Sequence, residues 1–261
     1  MQTVPADDRG LTLGVGLFET VLARDGRLAH WEPHLDRLAR GCAALGLPAP
    51  DRALCAVRVH DTLAQAGLLK GRAAVRLSWT GGSGARGLAA PVAPEPRLLA
   101  TAAQAAPPPQ SLSLKTSAIR RNPSSPAARI KTLNYLDNVQ ARAEAAASGA
   151  DEALMLDPVG DLACAAAANL FWLEGPSLFT PALDCGVLDG IVRAEILRIA
   201  PTFGLAVEQV HAPPARLFAS DGVFLTNSLQ GAVAARSLDG APLPACDPAL
   251  LARLTAVAEA R

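Results

Sequence analysis

Lysine is scarce in this chain of 261 residues, which contains three lysines against 21 arginines. An arginine keeps its proton inside a protein, whereas a lysine can lose its proton and become a nucleophile that forms Schiff bases. A chain that takes almost all of its positive charge from arginine does not need lysine for solubility. Lys131 lies in a dense polar segment, residues 129–138, and is therefore a candidate for covalent chemistry. The alternative is a surface lysine at the start of a helix.

Cysteine and histidine are also few and widely spaced. An odd number of cysteines without a CxxC pair argues for reduced thiols in a cytosolic protein, and against a zinc site or a disulfide framework. The histidines are equally scattered, so the sequence predicts no metal cluster. The residues concerned are Cys42, Cys55, Cys164, Cys185, Cys246, His30, His34, His60 and His211.

Net charge and long apolar runs are absent as well. The formal net charge is zero and aromatic residues make up 4% of the chain, which argues against a nucleic-acid-binding surface. The first nine residues are polar and acidic, unlike a secretory signal. No apolar run approaches the roughly 20 residues of a membrane-spanning helix. We therefore expect a cytoplasmic protein with no nucleic-acid or membrane partner.

The periodicity of the first third predicts mixed α and β structure. A strand ends in a hairpin turn at residues 24–27. From His34 the apolar spacing becomes helical, and Gly46 with Pro48 ends that helix. Asp51 can cap a second helix, which runs to about residue 66. Two further strands are expected at residues 73–79 and 97–102.

A proline-rich stretch at residues 105–110 predicts a domain boundary. We expect a smaller N-terminal α/β domain at residues 1–104, a linker at 105–118, and a larger C-terminal α/β domain at 119–261 that carries Lys131. The C-terminal domain is predicted to contain helices at 133–147, 191–199 and 248–260, and strands at 152–156, 169–173, 177–180 and 222–226.

Three elements of the chain could bind an anion. Gly190 stands at the start of a helix, where free backbone N–H groups and the positive end of the helix dipole suit a phosphate. Asn227 and Ser228 end a strand and could supply further donors. Arg37, on the first long helix, could clamp the same anion.

Together with Lys131, and in this order, these segments resemble the fold-type IV pyridoxal-phosphate enzymes. That family includes branched-chain and D-amino-acid aminotransferases and 4-amino-4-deoxychorismate lyases. The resemblance covers nearly the whole chain. It implies an α/β (α+β) fold of two domains, an active site in the interdomain cleft, pyridoxal 5'-phosphate as cofactor, and a homodimer.

The strings at residues 84–87, 131–136 and 169–172 are most similar to the lyases, which release pyruvate and form 4-aminobenzoate for folate synthesis. A D-amino-acid or branched-chain aminotransferase on the same fold is the alternative.

The resemblance also implies roles for single residues. Lys131 matches the lysine that holds the cofactor as a Schiff base and then acts as general base and acid. The positions that match cofactor contacts are Arg37, Cys164, Asn169, Gly190, Ile191, Val192, Asn227 and Ser228. The candidates for binding substrate are Arg86, Arg120 and Tyr135.

Cys164 departs from the family pattern. Family members usually carry a glutamate five residues before the position of Asn169, where it pairs with the pyridine nitrogen of the cofactor. A carboxylate there favours the protonated ring and a strong electron sink, whereas a buried neutral thiol does not. Three alternatives follow: a lyase that works with a weaker sink, an altered reaction, or a homolog whose cofactor binding is impaired or lost.

Overall fold

The computed structural model describes residues 3–258 and divides into two compact units. The first unit contains the chain up to Ala106 together with Ile130–Tyr135. The second contains Pro107–Arg129 and the chain from Leu136 onward. Both units combine helices with a sheet, so the predicted mixed α/β class is confirmed. Lys131 belongs to the first unit, whereas the sequence places it in the C-terminal domain.

The first unit is a four-stranded antiparallel sheet in the order β2-β1-β3-β4, with two long helices packed on it. Its elements are α1 (Arg9–Leu13), β1 (Gly16–Arg24), β2 (Arg27–Leu28), α2 (Trp31–Leu45), α3 (Arg52–Gln65), β3 (Arg72–Thr80) and β4 (Leu98–Gln104). The predicted hairpin is present, because β1 and β2 pair across Asp25 and Gly26. Both turn residues have positive φ, as a two-residue hairpin requires.

The ends of the two long helices follow from local chemistry. Gly46 adopts the left-handed conformation after α2, and its amide bonds back to the carbonyls of Ala43 and Cys42. The Asp51 carboxylate accepts a hydrogen bond from the amide of Leu54 and caps α3. Both predicted boundaries are confirmed.

The second unit is built on a nine-stranded mixed sheet in the order β10-β9-β8-β11-β12-β5-β6-β7, with β13 paired to β12. Its strands are β5 (Ser111–Arg120), β6 (Glu152–Leu156), β7 (Leu162–Ala165), β8 (Asn169–Glu174), β9 (Ser177–Pro181), β10 (Ala206–Val210), β11 (Gly222–Asn227), β12 (Gly231–Leu238) and β13 (Ala241–Pro242). Its helices are α4 (Pro126–Arg129), α5 (Leu136–Ala147), α6 (Ile191–Ile199), α7 (Ala215–Phe218) and α8 (Pro248–Ala258).

Both faces of the central strands are buried. In β8, Leu170 and Trp172 belong to one apolar cluster, while Phe171 and Leu173 belong to another. This explains why β8 is an apolar run without alternation.

Three stretches differ from the expectation. Residues 111–118, expected in a linker, lie within β5, which pairs in parallel with β6 and β12. The helix expected from residue 133 begins at Leu136. The terminal helix is present as α8, and the last two residues expected in it lie outside the described part of the chain. By contrast, α6 has the predicted bounds. Among the described residues, no helix is both long and apolar enough to cross a membrane.

Candidate functional site

Lys131 is held in place by backbone pairing with the start of β1. The amide of Phe18 donates to the carbonyl of Lys131 at 2.9 Å, and the amide of Leu133 donates to the carbonyl of Gly16 at 2.9 Å. Residues 131–133 are therefore extended alongside β1. This pairing uses the Leu133 amide and explains why α5 begins only after Tyr135.

The Lys131 amine lies against two aromatic rings. Nζ is 4.2 Å from the centre of the Phe18 ring and donates to Tyr135 Oη at 3.4 Å. The two rings contact each other edge to face, with centres 5.0 Å apart. Burial, followed by the positive charges of Arg37 and Arg76, outweighs the carboxylate of Glu19 and lowers the pKa of Lys131 to about 7. A large fraction of the amine is therefore neutral and nucleophilic near pH 7.

Glu19, on β1, anchors a buried charged cluster that the sequence reasoning missed. Its carboxylate accepts two hydrogen bonds from Arg37, at 2.8 and 2.6 Å, and lies 2.7 Å from His34 Nδ1. Burial opposes ionisation of Glu19, but Arg37 and His34 outweigh it and lower the pKa of this carboxyl to about 2. Burial lowers the pKa of His34 despite the carboxylate. The neutral His34 ring therefore donates its Nδ1–H to Glu19.

This cluster fixes Arg37, which the sequence assigns to the cofactor phosphate. Two of its guanidinium nitrogens bind Glu19, and the side chain is 10% exposed. The phosphate contact stays a prediction. The signal that could have identified Glu19 is its position, because an isolated carboxylate within an apolar strand requires a buried partner.

Arg76 is a second cation near Lys131. It extends from β3, and its guanidinium carbon lies 3.7 Å from the centre of the Phe18 ring. Its Nε donates to Ser78 Oγ at 3.3 Å, and the residue is exposed to solvent. Phe18 thus contacts both Arg76 and Lys131, and the exposed guanidinium of Arg76 supplies a positive charge beside the amine.

The three predicted substrate residues have different surroundings. Tyr135 contacts Lys131, as described above. Arg86 is exposed on a loop that buried Arg9 holds by donating to the carbonyls of Gly87 and Leu88. Arg120 is exposed at the end of β5, where its guanidinium donates to the carbonyl of Ser117. Arg76, which the sequence analysis did not single out, lies beside the amine.

In the second unit, α6 begins without a side-chain cap. Its N-cap residue is Gly190, so the first-turn amides of Ile191 and Val192 donate no hydrogen bond to a capping side chain. Asn169 holds the preceding turn through a bond from Nδ2 to the carbonyl of Leu188 at 2.9 Å. A Cβ on Gly190 would lie 2.0 Å from Asn169 Oδ1, so glycine is required there. The structure thus gives Asn169 a positioning role.

The end of β11 provides a second set of polar groups. Asn227 builds the turn that follows, because its Oδ1 accepts from the amides of Leu229 and Gln230. Ser228 is partly buried in that turn. The hydroxyl of Thr226 is buried and has no hydrogen-bond partner among residues 3–258. An unsatisfied buried hydroxyl and an uncapped helix start are both features that a phosphate group would satisfy.

Cys164, on β7, is a buried neutral thiol. Burial raises its pKa; the nearby Arg121 opposes this shift and Glu152 adds to it. Arg121 is itself buried and donates to the carbonyls of Gly186 and Ala128 and to Asn138 Oδ1. The position where the family pattern has a carboxylate therefore carries an uncharged side chain with a positively charged neighbour.

Comparisons of the sequence and of the structure with known proteins lead to the same family. The sequence profile of the family described as "Amino-transferase class IV" matches residues 16–238. An aminodeoxychorismate lyase of Bacillus subtilis is 30% identical, covering 85% of this chain and 77% of that protein. A putative branched-chain-amino-acid aminotransferase of Methanocaldococcus jannaschii is also 30% identical, covering 89% of this chain and 82% of that protein.

Among solved structures, the 4-amino-4-deoxychorismate lyase of Pseudomonas aeruginosa superposes with a TM-score of 0.85. It is 33% identical, and the match covers 98% of this chain and 94% of that chain. The fold is therefore fold-type IV, as the sequence predicts. This chain belongs to the class IV aminotransferase family, whose members are pyridoxal-phosphate-dependent enzymes.

Proposed function

We propose that this protein is a 4-amino-4-deoxychorismate lyase, which converts aminodeoxychorismate to 4-aminobenzoate and pyruvate for folate synthesis. The observation that carries the proposal is the Lys131 amine, whose pKa is lowered to about 7 and which contacts Tyr135 Oη. A general base and acid works best when its pKa lies near the working pH. The similarity to two lyases supports this reaction over others of the family.

Bound pyridoxal phosphate supplies an aldehyde that takes up amines covalently and a ring that accepts electrons. Each unit carries residues that suit such a group. Lys131 is the amine for covalent attachment. The amides of Ile191 and Val192 and the hydroxyls of Thr226 and Ser228 are the proposed phosphate contacts, with Arg37 as a further candidate.

Lys131 moves the proton in the proposed reaction. With the cofactor bound, the free Nζ would accept the proton from C4 of the substrate. The bond between the ring carbon and the ether oxygen would then break, and Lys131 would return the proton to the departing enol, which becomes pyruvate. Tyr135 Oη keeps Nζ near the ring of Phe18 through this exchange.

Arg76 is our candidate for binding a substrate carboxylate, because it is exposed and influences the charge state of Lys131. We expect Arg76→Gln to raise KM about tenfold or more with a smaller change in kcat, as the loss of a charged hydrogen bond of about 1.5–3 kcal/mol implies. The matched control is Arg86→Gln, for which we expect less than about a twofold change. A raised KM for Arg86→Gln and not for Arg76→Gln would indicate that Arg86, and not Arg76, binds the substrate carboxylate.

Cys164 favours lyase chemistry over transamination. A neutral thiol beside Arg121 does not stabilise a protonated ring nitrogen, so electron withdrawal by the ring is weaker. The lyase tolerates this, because formation of an aromatic product supplies driving force that transamination lacks. The aminotransferase alternative rests on the Methanocaldococcus jannaschii relative.

A single preparation can test these alternatives. Pyruvate release from aminodeoxychorismate is measured with lactate dehydrogenase and NADH, and conversion of the cofactor to its pyridoxamine form is followed separately with D-alanine and L-leucine. We expect pyruvate release that Lys131→Ala abolishes, and slow conversion with either amino acid. Rapid conversion without pyruvate release would establish the aminotransferase. Failure to take up the cofactor would support the third alternative, a homolog whose cofactor binding is impaired or lost.

The family resemblance also implies a homodimer. Size-exclusion chromatography with light scattering measures the mass directly, and a mass near that of one chain would refute this part of the proposal.

A further inference from the structure

A cluster of five side chains in the second unit has the composition of a metal site. We call it the Cys185–His211 cluster; its members are Asp157, Asp161, Asp184, Cys185 and His211. One ligand atom each from Asp157, Cys185 and His211 lie within 4.8 Å of one another. Asp157 and Cys185 are buried, whereas His211 is exposed, so the cluster opens to solvent on one side.

Three separate segments bring these residues together, and the backbone fixes each of them. Asp157 and Asp161 flank the turn between β6 and β7, where Asp157 Oδ1 accepts from the amides of Val159 and Asp161. Asp184 and Cys185 lie in a short 3-10 helix, Leu183–Cys185, that follows β9. His211 follows β10, which pairs in parallel with β9.

His211 is held by backbone bonds on both sides of it in the chain. The carbonyl of the preceding residue, Val210, accepts from Ala182 at 3.0 Å. The carbonyl of the following residue, Ala212, accepts from Leu162 at 2.8 Å. His211 is thus connected to both of the segments that supply the other members, and its position does not depend on side-chain contacts alone.

The His211 ring has the orientation that a bound metal would require. Its Nδ1 lies 3.4 Å from Cys185 Sγ and 3.8 Å from Asp161 Oδ2. In a tetrahedral zinc site, bond lengths of about 2.3 Å to sulfur and 2.0–2.1 Å to nitrogen place these two atoms about 3.6 Å apart. The other ring nitrogen, Nε2, lies 3.0 Å from Asp184 Oδ1. A carboxylate on the far nitrogen is the arrangement that orients metal-binding histidines.

The charges of the cluster favour a cation. The carboxylates of Asp157, Asp161 and Asp184 all lie near the Cys185 side chain. The negative potential of these carboxylates attracts a divalent metal ion, whose binding displaces the thiol proton.

We propose that the Cys185–His211 cluster binds one Zn²⁺ ion, through Cys185 Sγ, His211 Nδ1 and the carboxylates of Asp157 and Asp161. Asp184 is a positioning residue that holds the His211 ring. Binding forms the Zn–S bond and releases the Cys185 proton to solvent, with no change of oxidation state. A thiolate, an imidazole and carboxylates together select zinc over magnesium or calcium. The site shares no residue with the proposed lyase site.

The test uses the full-length protein with bound pyridoxal phosphate, purified without a histidine tag, and CoCl₂ as a spectroscopic probe. We expect one equivalent of Co²⁺ to produce a thiolate-to-cobalt charge-transfer band, and ZnCl₂ to abolish it. Cys185→Ser should remove the band. His211→Ala should weaken Co²⁺ binding at least tenfold, and Asp184→Asn should weaken it about 10- to 100-fold.

Two variants serve as matched controls. Cys55 is a buried thiol, and His60 is an exposed histidine 3.8 Å from Asp61, so Cys55→Ser and His60→Ala should retain the band. If Cys185→Ser does not fold, His211→Ala and Asp184→Asn change exposed side chains and still decide the question. Absence of a band at stoichiometric Co²⁺, or equal losses in the control variants, would overturn the proposal.

Discussion

Replacing Glu19 by glutamine would measure how much the buried charge cluster stabilises the protein. Glutamine keeps the size of the side chain and removes its charge, which leaves Arg37 without its carboxylate partner. The pKa of Glu19 falls from 4.5 to about 2 in the folded state. At about 1.4 kcal/mol per unit, this shift corresponds to about 3 kcal/mol of stability at pH 7. That agrees with the roughly 3–5 kcal/mol lost when one partner of a buried ion pair is removed.

The effect depends on pH in a defined direction. The folded-state pKa of Glu19 is depressed, so its stabilisation is fully present above about pH 4.5 and is lost as the pH falls towards 2. At pH 3 only about 1 kcal/mol of the stabilisation should remain. The difference between wild type and Glu19→Gln should therefore be about 3 kcal/mol at pH 7 and markedly smaller at pH 3.

Urea unfolding followed by circular dichroism at the two pH values provides the measurement. The matched control is Glu174→Gln, because Glu174 makes the same two-bond pair with Arg216 at 2.6 and 3.0 Å. Both of those side chains are about one-third exposed, so the control should lose less than about 1 kcal/mol. Equal losses in the two variants, or a Glu19→Gln loss that is unchanged at pH 3, would refute the reasoning.

The Lys131 amine should make cofactor uptake by the apoprotein depend on pH. Because only the neutral amine reacts and its pKa is lowered to about 7, the stopped-flow uptake rate should rise about tenfold per pH unit below 7 and level off above it; a midpoint near 10 would contradict this. Gly190→Ala should weaken pyridoxal-phosphate binding at least tenfold in a fluorescence titration, because the added Cβ would lie 2.0 Å from Asn169 Oδ1; unchanged affinity would show that the turn before α6 does not bind the phosphate. Cys164→Glu should place a carboxylate near Arg121, shift the absorbance of the bound cofactor to longer wavelength and accelerate its conversion by D-alanine; an unchanged spectrum would mean that this side chain does not face the ring.

Elements with strong local signals could be predicted from the sequence. The bounds of α6 and the end of α2 at Gly46 match the expectation, because a glycine precedes or follows a regular apolar pattern. The carboxylate cap of α3 by Asp51 is equally local. Such features depend on residues that lie only a few positions apart in the chain, so the sequence alone reveals them.

Elements that depend on distant pairing could not be predicted. Strand β5 follows a run of prolines and is defined by parallel pairing with β6 and β12, and β12 lies more than a hundred residues away. The extended segment at Lys131 looks like the first turn of a helix, and only its hydrogen bonds to Gly16 and Phe18 fix it beside β1.

The residues of the candidate site also fall into two groups, those that the sequence could connect and those that only the fold brings together. Lys131 and Tyr135 are four residues apart, so the sequence could connect them. Glu19 and Arg76 come from two different strands, and their influence on the amine appears only in the folded unit. The Cys185–His211 cluster is drawn from three segments with no characteristic metal-ligand spacing, which is why the scattered histidines gave no indication of it.

The pairing of Lys131 with β1 has a consequence for synthesis of the chain. Residues 16–18 are made early, but their partners at 131–133 emerge from the ribosome more than a hundred residues later. At about 5–20 residues per second, that edge of β1 waits roughly 6 to 23 seconds before it can be covered. A contiguous fragment that stops at Ala106 contains every strand of the first sheet yet never covers this edge. The nascent chain therefore carries an open strand edge while more than a hundred residues are added, and this interval is when association with another unfinished copy is most favourable.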